Sequence, residues 1–228
     1  EPFVEIDGKV YGWADVRAAQ SLYRGYMPIP QVAWTHPLFH LETTAFAHED
    51  GGLQTQVRYR LHNPTREARA MTLWLAVRPF QVNPPTQFLN VPGGVAPLHR
   101  LEWRDGVLAG DGQPLLSATA GPTRLLFGQG SAGGLHALRQ RARAEQAQRW
   151  EDPQDLASAA LQYEFQVPAG ASRDIVVVLP QAGPAHLPLG MAPAAWFEAA
   201  LQRSAARWAE RLHRTDLDFA NDTQGLAD

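Results

Sequence analysis

Cysteine is absent from the 228-residue sequence. That excludes disulfide staples, thiolate metal ligands and a cysteine nucleophile, and it leaves the core to hold the fold by itself. Lysine occurs once, at Lys9, so positive charge is almost wholly arginine, a compositional habit to which no mechanism attaches. Positive charge is not in excess either: 20 Lys and Arg against 23 Asp and Glu give a net charge of -3 and a pI of about 6.3. No overall field exists to hold nucleic acid or an anionic membrane, and neither is expected as a partner. No apolar run approaches the roughly 18 residues of a membrane span, and no basic-then-apolar leader opens the chain. The first residue is Glu1, not Met, which reads as a processed or excised chain.

What is present is 45% hydrophobic residues, with 19 glycines and 18 prolines. This is enough to fill a core and too turn-rich for a helical bundle. The dominant signal up to Val178 is period-2 alternation between turns, the pattern of half-buried strands. Between Leu53 and Asn63, the residues Leu53, Thr55, Val57, Tyr59 and Leu61 take one face, expected to be core. Gln54, Gln56, Arg58, Arg60 and His62 take the other, expected to be wet. Leu38 to Ala47 reads as the antiparallel partner across the turn Glu49-Asp50-Gly51-Gly52. Met71 to Val77 and Ala159 to Val167 alternate likewise. Ile175 to Val178 is an unbroken β-branched run, predicting a strand covered on both faces. Asp7-Gly8, Asp105-Gly106 and Asp111-Gly112 predict tight hairpins. The total is about ten or more strands.

The period changes near the C-terminus. Phe197, Leu201, Ser204, Trp208 and Leu212 share one helical face, and Pro193 suits a first turn. One amphipathic helix from Ala192 to Leu212 is expected, docking on a sheet or joining two domains. The stretch from Ser131 to Asp155 fits no single pattern.

Several motifs bear on chemistry. Gly128-Gln-Gly130-Ser-Ala-Gly133 matches the dinucleotide fingerprint after an apolar run, and Glu151 or Asp152 stands at the spacing of a ribose-binding acid. The arginine-rich residues between cannot form the second buried parallel strand that such a site needs, so a glycine loop is the preferred reading and no cofactor is predicted. The arginines Arg139, Arg141, Arg143 and Arg149 read as a solvated face. The eight histidines form no metal-ligand spacing, and no metal is predicted. His36-Pro-Leu-Phe39-His40-Leu41 loosely resembles the His-aromatic segment of aldose epimerases, with His99, Glu102 or Glu164 as conceivable proton partners. Ordinary strand and loop histidines are the favoured reading. No catalytic residue is therefore assigned.

The segment from Arg78 to Val95 is a proline-stiffened loop offering Gln81, Asn83, Gln87 and Asn90 as paired donors and acceptors, the groups that recognise sugar hydroxyls. The same amides also serve to satisfy loop backbone. Seven tryptophans, Trp103 among them, supply rings that stack on pyranose faces, though most are expected in the core.

Through the loop Val77 to Phe88, Gly93-Gly94-Val95-Ala96-Pro97, the hairpin-like Leu161 to Val178 and the segment Trp196-Phe197-Glu198 to Trp208, nearly the whole chain resembles one known domain type. It is the N-terminal domain of bacterial glycoside-hydrolase-like proteins of the glucoamylase and glycoside-phosphorylase kind. The resemblance implies a mainly β fold, an antiparallel super-sandwich of galactose-mutarotase type at residues 1–190. A linker helix follows at 191–214, then a tail at 215–228 leading to an (α/α)6 barrel. In such proteins the catalytic carboxyl groups lie in the barrel, so this chain is expected to be non-catalytic, with carbohydrate and its own barrel as partners. Arg78, Gln81, Asn83, Gln87, Asn90 and Trp103 become candidate contacts to sugar or to barrel. A free-standing aldose epimerase and a nucleotide-binding protein remain as alternatives. Absent cysteine and sugar handling are compatible with a periplasmic or secreted location.

Overall fold

The computed structural model describes residues 1–49, 52–79, 96–130, 134–141, 148–181, 185, 187 and 192–214. Its strands are β1 (Pro2–Ile6), β2 (Lys9–Tyr11), β3 (Arg17–Tyr23), β4 (Met27–His36), β5 (Phe39–His48), β6 (Gln54–His62) and β7 (Arg69–Val77). They continue with β8 (Arg100–Arg104), β9 (Val107–Gly110), β10 (Gln113–Ala118), β11 (Arg124–Gln129), β12 (Arg149–Glu151), β13 (Ala157–Val167) and β14 (Ser172–Pro180). Two helices, α1 (Gly134–Arg141) and α2 (Pro193–Leu212), and a short 3-10 turn at Trp13–Asp15 complete them. The fold is mainly β: a five-stranded sheet ordered β11-β13-β7-β1-β2 packs on a nine-stranded sheet ordered β12-β8-β9-β10-β14-β6-β5-β4-β3. Pairing between the named strands is antiparallel.

The inner faces make the main core, as the alternation requires. Val4, Leu73, Leu75, Leu161 and Phe127 from the smaller sheet meet Phe39, Leu41, Leu61, Ile175 and Val177 from the larger. The expected hairpin of β5 and β6 pairs His40 with His62 through His48 with Gln54. The three Asp-Gly turns hold both residues at positive φ, as two-residue hairpin turns of the primed type demand. Arg24-Gly25 makes a fourth such pair with a non-turn residue in the first place.

Each sheet also has an outer face, and each is covered by a helix. On the smaller sheet α1 sets Leu135 and Leu138 against Trp74, Leu126 and Ala160. On the larger, α2 sets Phe197, Ala200, Leu201 and Ala205 against Met27, Ile29, Phe46 and Val176. Val176 and Val178 are thus buried outward as Ile175 and Val177 are buried inward, the two-sided covering that the β-branched run predicts.

Helix α2 also corrects the expectation that the alternate face of β6 is wet. Gln54, Gln56 and Arg58 are buried at 1%, 0% and 6% exposure, while Leu53 at the end of the opposite face is 52% exposed. The reason is a partner nearly 140 residues away in sequence. The Arg58 guanidinium lies 4.7 Å from the Phe197 ring centroid, with Glu42 at 3.3 Å and Glu198 at 3.6 Å. Gln54 and Gln56 both contact the His48 imidazole. Beyond the helix the same face returns to solvent: Arg60 forms a two-point pair with Asp174 at 2.9 Å and keeps its side chain 41% exposed.

Asn63, fully buried where β6 ends, binds two elements together. Its Nδ2 donates to the carbonyls of Glu67 and Val167 at 2.8 and 2.9 Å, and its Oδ1 accepts from the Thr65 amide and hydroxyl. Asn63→Ala is expected to lower the unfolding free energy by about 2–4 kcal/mol, because buried carbonyls lose their donors; urea denaturation measures it.

A second expectation concerns alkali. Burial pushes the Tyr59 phenol from 10.0 up to about 12, and it raises Tyr163, whose buried hydroxyl has no hydrogen-bond partner among the described residues. A raised folded-state value means stability is intact below the unfolded value and is lost as pH climbs through the folded one. Unfolding free energy should therefore fall between pH 10 and about 12, with the two phenols ionising late by absorbance.

Candidate functional site

A cleft among the described residues lies on the outer side of the smaller sheet, a cavity of about 830 Å³. It sits between the β1–β2 hairpin with its following turn and helix α1. Phe3 and Val10, outward-facing residues of β1 and β2, form an apolar floor with Leu135 of α1. Opposite walls are Trp13 and Asp15 on the turn, and His136, Arg139 and Gln140 on α1.

The local sequence explains the turn. The Asp15 amide donates to the Gly12 carbonyl at 3.1 Å, closing one 3-10 turn that the Gly12 amide caps by donating to the Asp15 carboxylate at 2.9 Å, and a Cβ at Gly12 would lie 3.3 Å from the Phe3 ring. Glycine thereby brings the backbone down onto the floor and lifts Trp13 outward. Trp13 is 53% exposed, meeting Trp34 edge-on with centroids 5.9 Å apart. On the opposite wall Arg139 is committed: it pairs with Glu5 at 3.3 Å and stacks over Trp74 at 5.5 Å, while the Trp74 indole N–H donates to the same carboxylate at 2.8 Å. His136 and Gln140 touch through Nε2 atoms 2.9 Å apart.

Of the residues singled out from sequence, Arg78 does not line this cleft itself, but its guanidinium pairs with the carboxylate of Glu1, which does. The loop that follows departs from buried Pro79, whose carbonyl accepts the Ala96 amide at 2.9 Å and so pins the loop's two ends together. Gln81, Asn83, Gln87 and Asn90 lie outside the described residues. Trp103 goes elsewhere, to β8 of the other sheet, half-buried against the main core and opposite Leu108. Trp34 and Trp74 are buried, and Trp150, Trp196 and Trp208 are partly buried against cores, which leaves Trp13 as the exposed tryptophan. Sequence reasoning missed Trp13, Asp15, His136 and Gln140 as a group. The available signal was the break in alternation at Gly12-Trp13-Ala14-Asp15 directly after a hairpin.

The two histidines of the epimerase-like segment do not converge. His36 pairs across strands with Phe39 and therefore shares its inward face, whereas His40, one residue further on, points outward. The His36 ring stacks on Phe39 and meets Tyr11 at a tilt, and its Nδ1 accepts the Leu38 amide at 3.2 Å. His40 faces His62 at 5.6 Å, and burial together with that neighbour lowers its pKa. Its conceivable proton partners lie elsewhere: His99 pairs with Asp155, Glu102 stands opposite Arg149 on β8, and Glu164 accepts from Gln162 on β13. No ring could be flanked by both histidines.

Of the glycine fingerprint, Gly128 lies in β11 and Gly130 just after it, residues 131–133 are outside the described set, and α1 follows in chain order. But β11 is antiparallel to β13, and among the described residues no parallel neighbour creates the crevice of a dinucleotide site. Gly130 has a packing reason instead. Its amide donates to Leu156 O at 2.6 Å, and a Cβ there would stand 2.5 Å from Ser158 Oγ and 3.2 Å from Leu156 O. The ambiguous stretch around it resolves into α1 and β12, with residues 131–133 and 142–147 outside the described set. Among the described residues no group of three or more metal-binding side chains gathers.

No family model and no curated protein matches the chain. Among solved structures it is similar to one described as a kojibiose phosphorylase from human microbiome, with a TM-score of 0.43 and 10% sequence identity. That alignment covers 92% of this chain and 25% of the other. The chain thus spans about a quarter of that protein's length.

Gly130→Ala should lower the unfolding free energy by about 1–3 kcal/mol through overpacking against β13, without altering any nucleotide affinity; thermal unfolding and a nicotinamide-cofactor titration check both parts.

Proposed function

We propose that the chain is the non-catalytic β-sandwich domain of a carbohydrate-active, glycoside-hydrolase-like protein, of galactose-mutarotase-like type, packing on a helical barrel that carries the chemistry. The observation that carries this reading is α2. One face is clamped to the outer side of the larger sheet by Phe197 and Arg58, and the helix runs out to the surface at Leu212, 40% exposed, where a linker would leave the domain. Residues 1–190 then form the domain, 191–214 the linker helix, and 215–228 the approach to the barrel. Arg78 and the loop it opens are the proposed contacts to sugar or barrel. A periplasmic or secreted setting is compatible with the composition.

The separation of His36 from His40 weighs against a free-standing epimerase, since general acid and base must face one ring. Turnover of glucosides, by hydrolysis and by phosphorolysis, should be assayed for this chain and for a parent polypeptide continuing past Asp228. The expected result is an inert chain and an active parent. Glycoside turnover or faster anomer exchange by the chain alone would overturn the assignment, as would a parent without turnover.

A further inference from the structure

We infer that the cleft between the Trp13 turn and α1 is a binding subsite for a neutral saccharide, with the free face of Trp13 as its stacking platform. The inference rests on the carbohydrate-active reading above and gives it a place in the fold that no sequence motif indicated.

Three observations converge. The first is size: about 830 Å³ is ample for a short oligosaccharide and falls in the range of small-molecule sites, roughly 300–1,000 Å³. The second is the platform. Six of the seven tryptophans pack on cores, whereas Trp13 has edge contact with Trp34 and a half-exposed ring over a cavity. An indole held on a glycine-closed turn is preorganised, and the C–H face of a pyranose suits its π surface.

The third observation is charge. The ionic side chains of the cleft are already engaged: Arg139 pairs with Glu5 and Glu1 with Arg78, while the Asp15 carboxylate, hydrogen-bonded to the Gly12 amide, keeps its negative charge. An anionic ligand would have to break those pairs. What stays available is His136 with Gln140, exposed planar groups bound to each other, which can exchange that contact for hydroxyls. A flat apolar wall facing a wall of planar amide and imidazole suits a ligand with apolar faces and a hydroxyl rim. The apolar floor of Phe3 and Val10 tolerates the ring carbons.

The test is an NMR titration of the 228-residue chain with maltotriose and cellotriose, with the acidic trisaccharide of galacturonate as comparison. The Trp13 indole and Gln140 amide resonances are expected to shift with a neutral trisaccharide. Trp13→Ala should weaken binding about tenfold or more, and Trp13→Phe less. Gln140→Ala should weaken it several-fold, while Trp103→Ala, on the other sheet, should leave affinity unchanged. Circular dichroism establishes that each variant is folded. Absence of binding by both neutral trisaccharides, tighter binding of the acidic one, or an affinity unmoved by Trp13→Ala would overturn the inference. Saccharide binding that survives Trp13→Ala removes the cleft and leaves the domain assignment standing. A parent protein without glycoside turnover removes that assignment whatever the cleft binds.

Discussion

A pleated strand turns successive side chains to opposite sides, and two sheets packed face to face can bury only one side of each. The second side of each sheet must then be polar or find a cover. Here the inner faces meet in one large core, and the outer faces are covered unequally. The short helix α1 sits over Trp74 and Leu126, and the long helix α2 over Phe46 and Val176. The arrangement is four layers, helix, sheet, sheet, helix, and the features with chemical interest lie where a helix leaves its sheet uncovered. The Trp13 cleft opens at one side of α1; the Arg60–Asp174 pair and the His40–His62 pair begin beyond the reach of α2.

The cover over the larger sheet is held by a mixed contact. Arg58 places its guanidinium against Phe197 between two carboxylates, so one side chain supplies apolar contact and charge pairing at a site that would otherwise bury an unmatched cation. Its Nε remains without a partner among the described residues, as does Gln56 Oε1. Interfaces of this kind set where a helix sits more sharply than a purely apolar patch does, since a shift by one turn would strand the charges.

The strands, the three Asp-Gly hairpins and the closing helix were legible because each is written in short-range pattern: alternation, turn chemistry and a 3.6-residue period. Burial of Gln54, Gln56 and Arg58 was not legible. Within β6 they alternate with Val57 and Leu61 as solvated residues do, and only α2, remote in sequence, reveals otherwise. The parity of His36 and His40 could have been read once the turn at Pro37-Leu38 was fixed, because the pairing of His36 with Phe39 decides it. The cleft was hidden for a different reason. Its walls come from residues 12–15 and 135–140, joined by no motif, and its key ring is conspicuous only when the other tryptophans are seen to be packed away. The amide loop, by contrast, was conspicuous in sequence, and the structure fixes its root at Pro79 and Ala96.

The Asp-Gly hairpins also set how the protein ages chemically. Cyclisation of an aspartate onto the next glycine amide, the first step toward isoaspartate, needs a carboxyl group at liberty to turn back on its own backbone. Asp111 holds its two carboxylate oxygens on the amides of His99 and Arg100, at 3.2 and 2.8 Å. Asp105 stands in the same left-handed geometry with its side chain 87% exposed, the neighbouring Arg104 its ion partner. Two turns with the same Asp-Gly pair and conformation should therefore differ in lifetime. Slow damage should collect in the β8–β9 hairpin, where an extra backbone atom would spoil the register, long before it reaches the hairpin that follows.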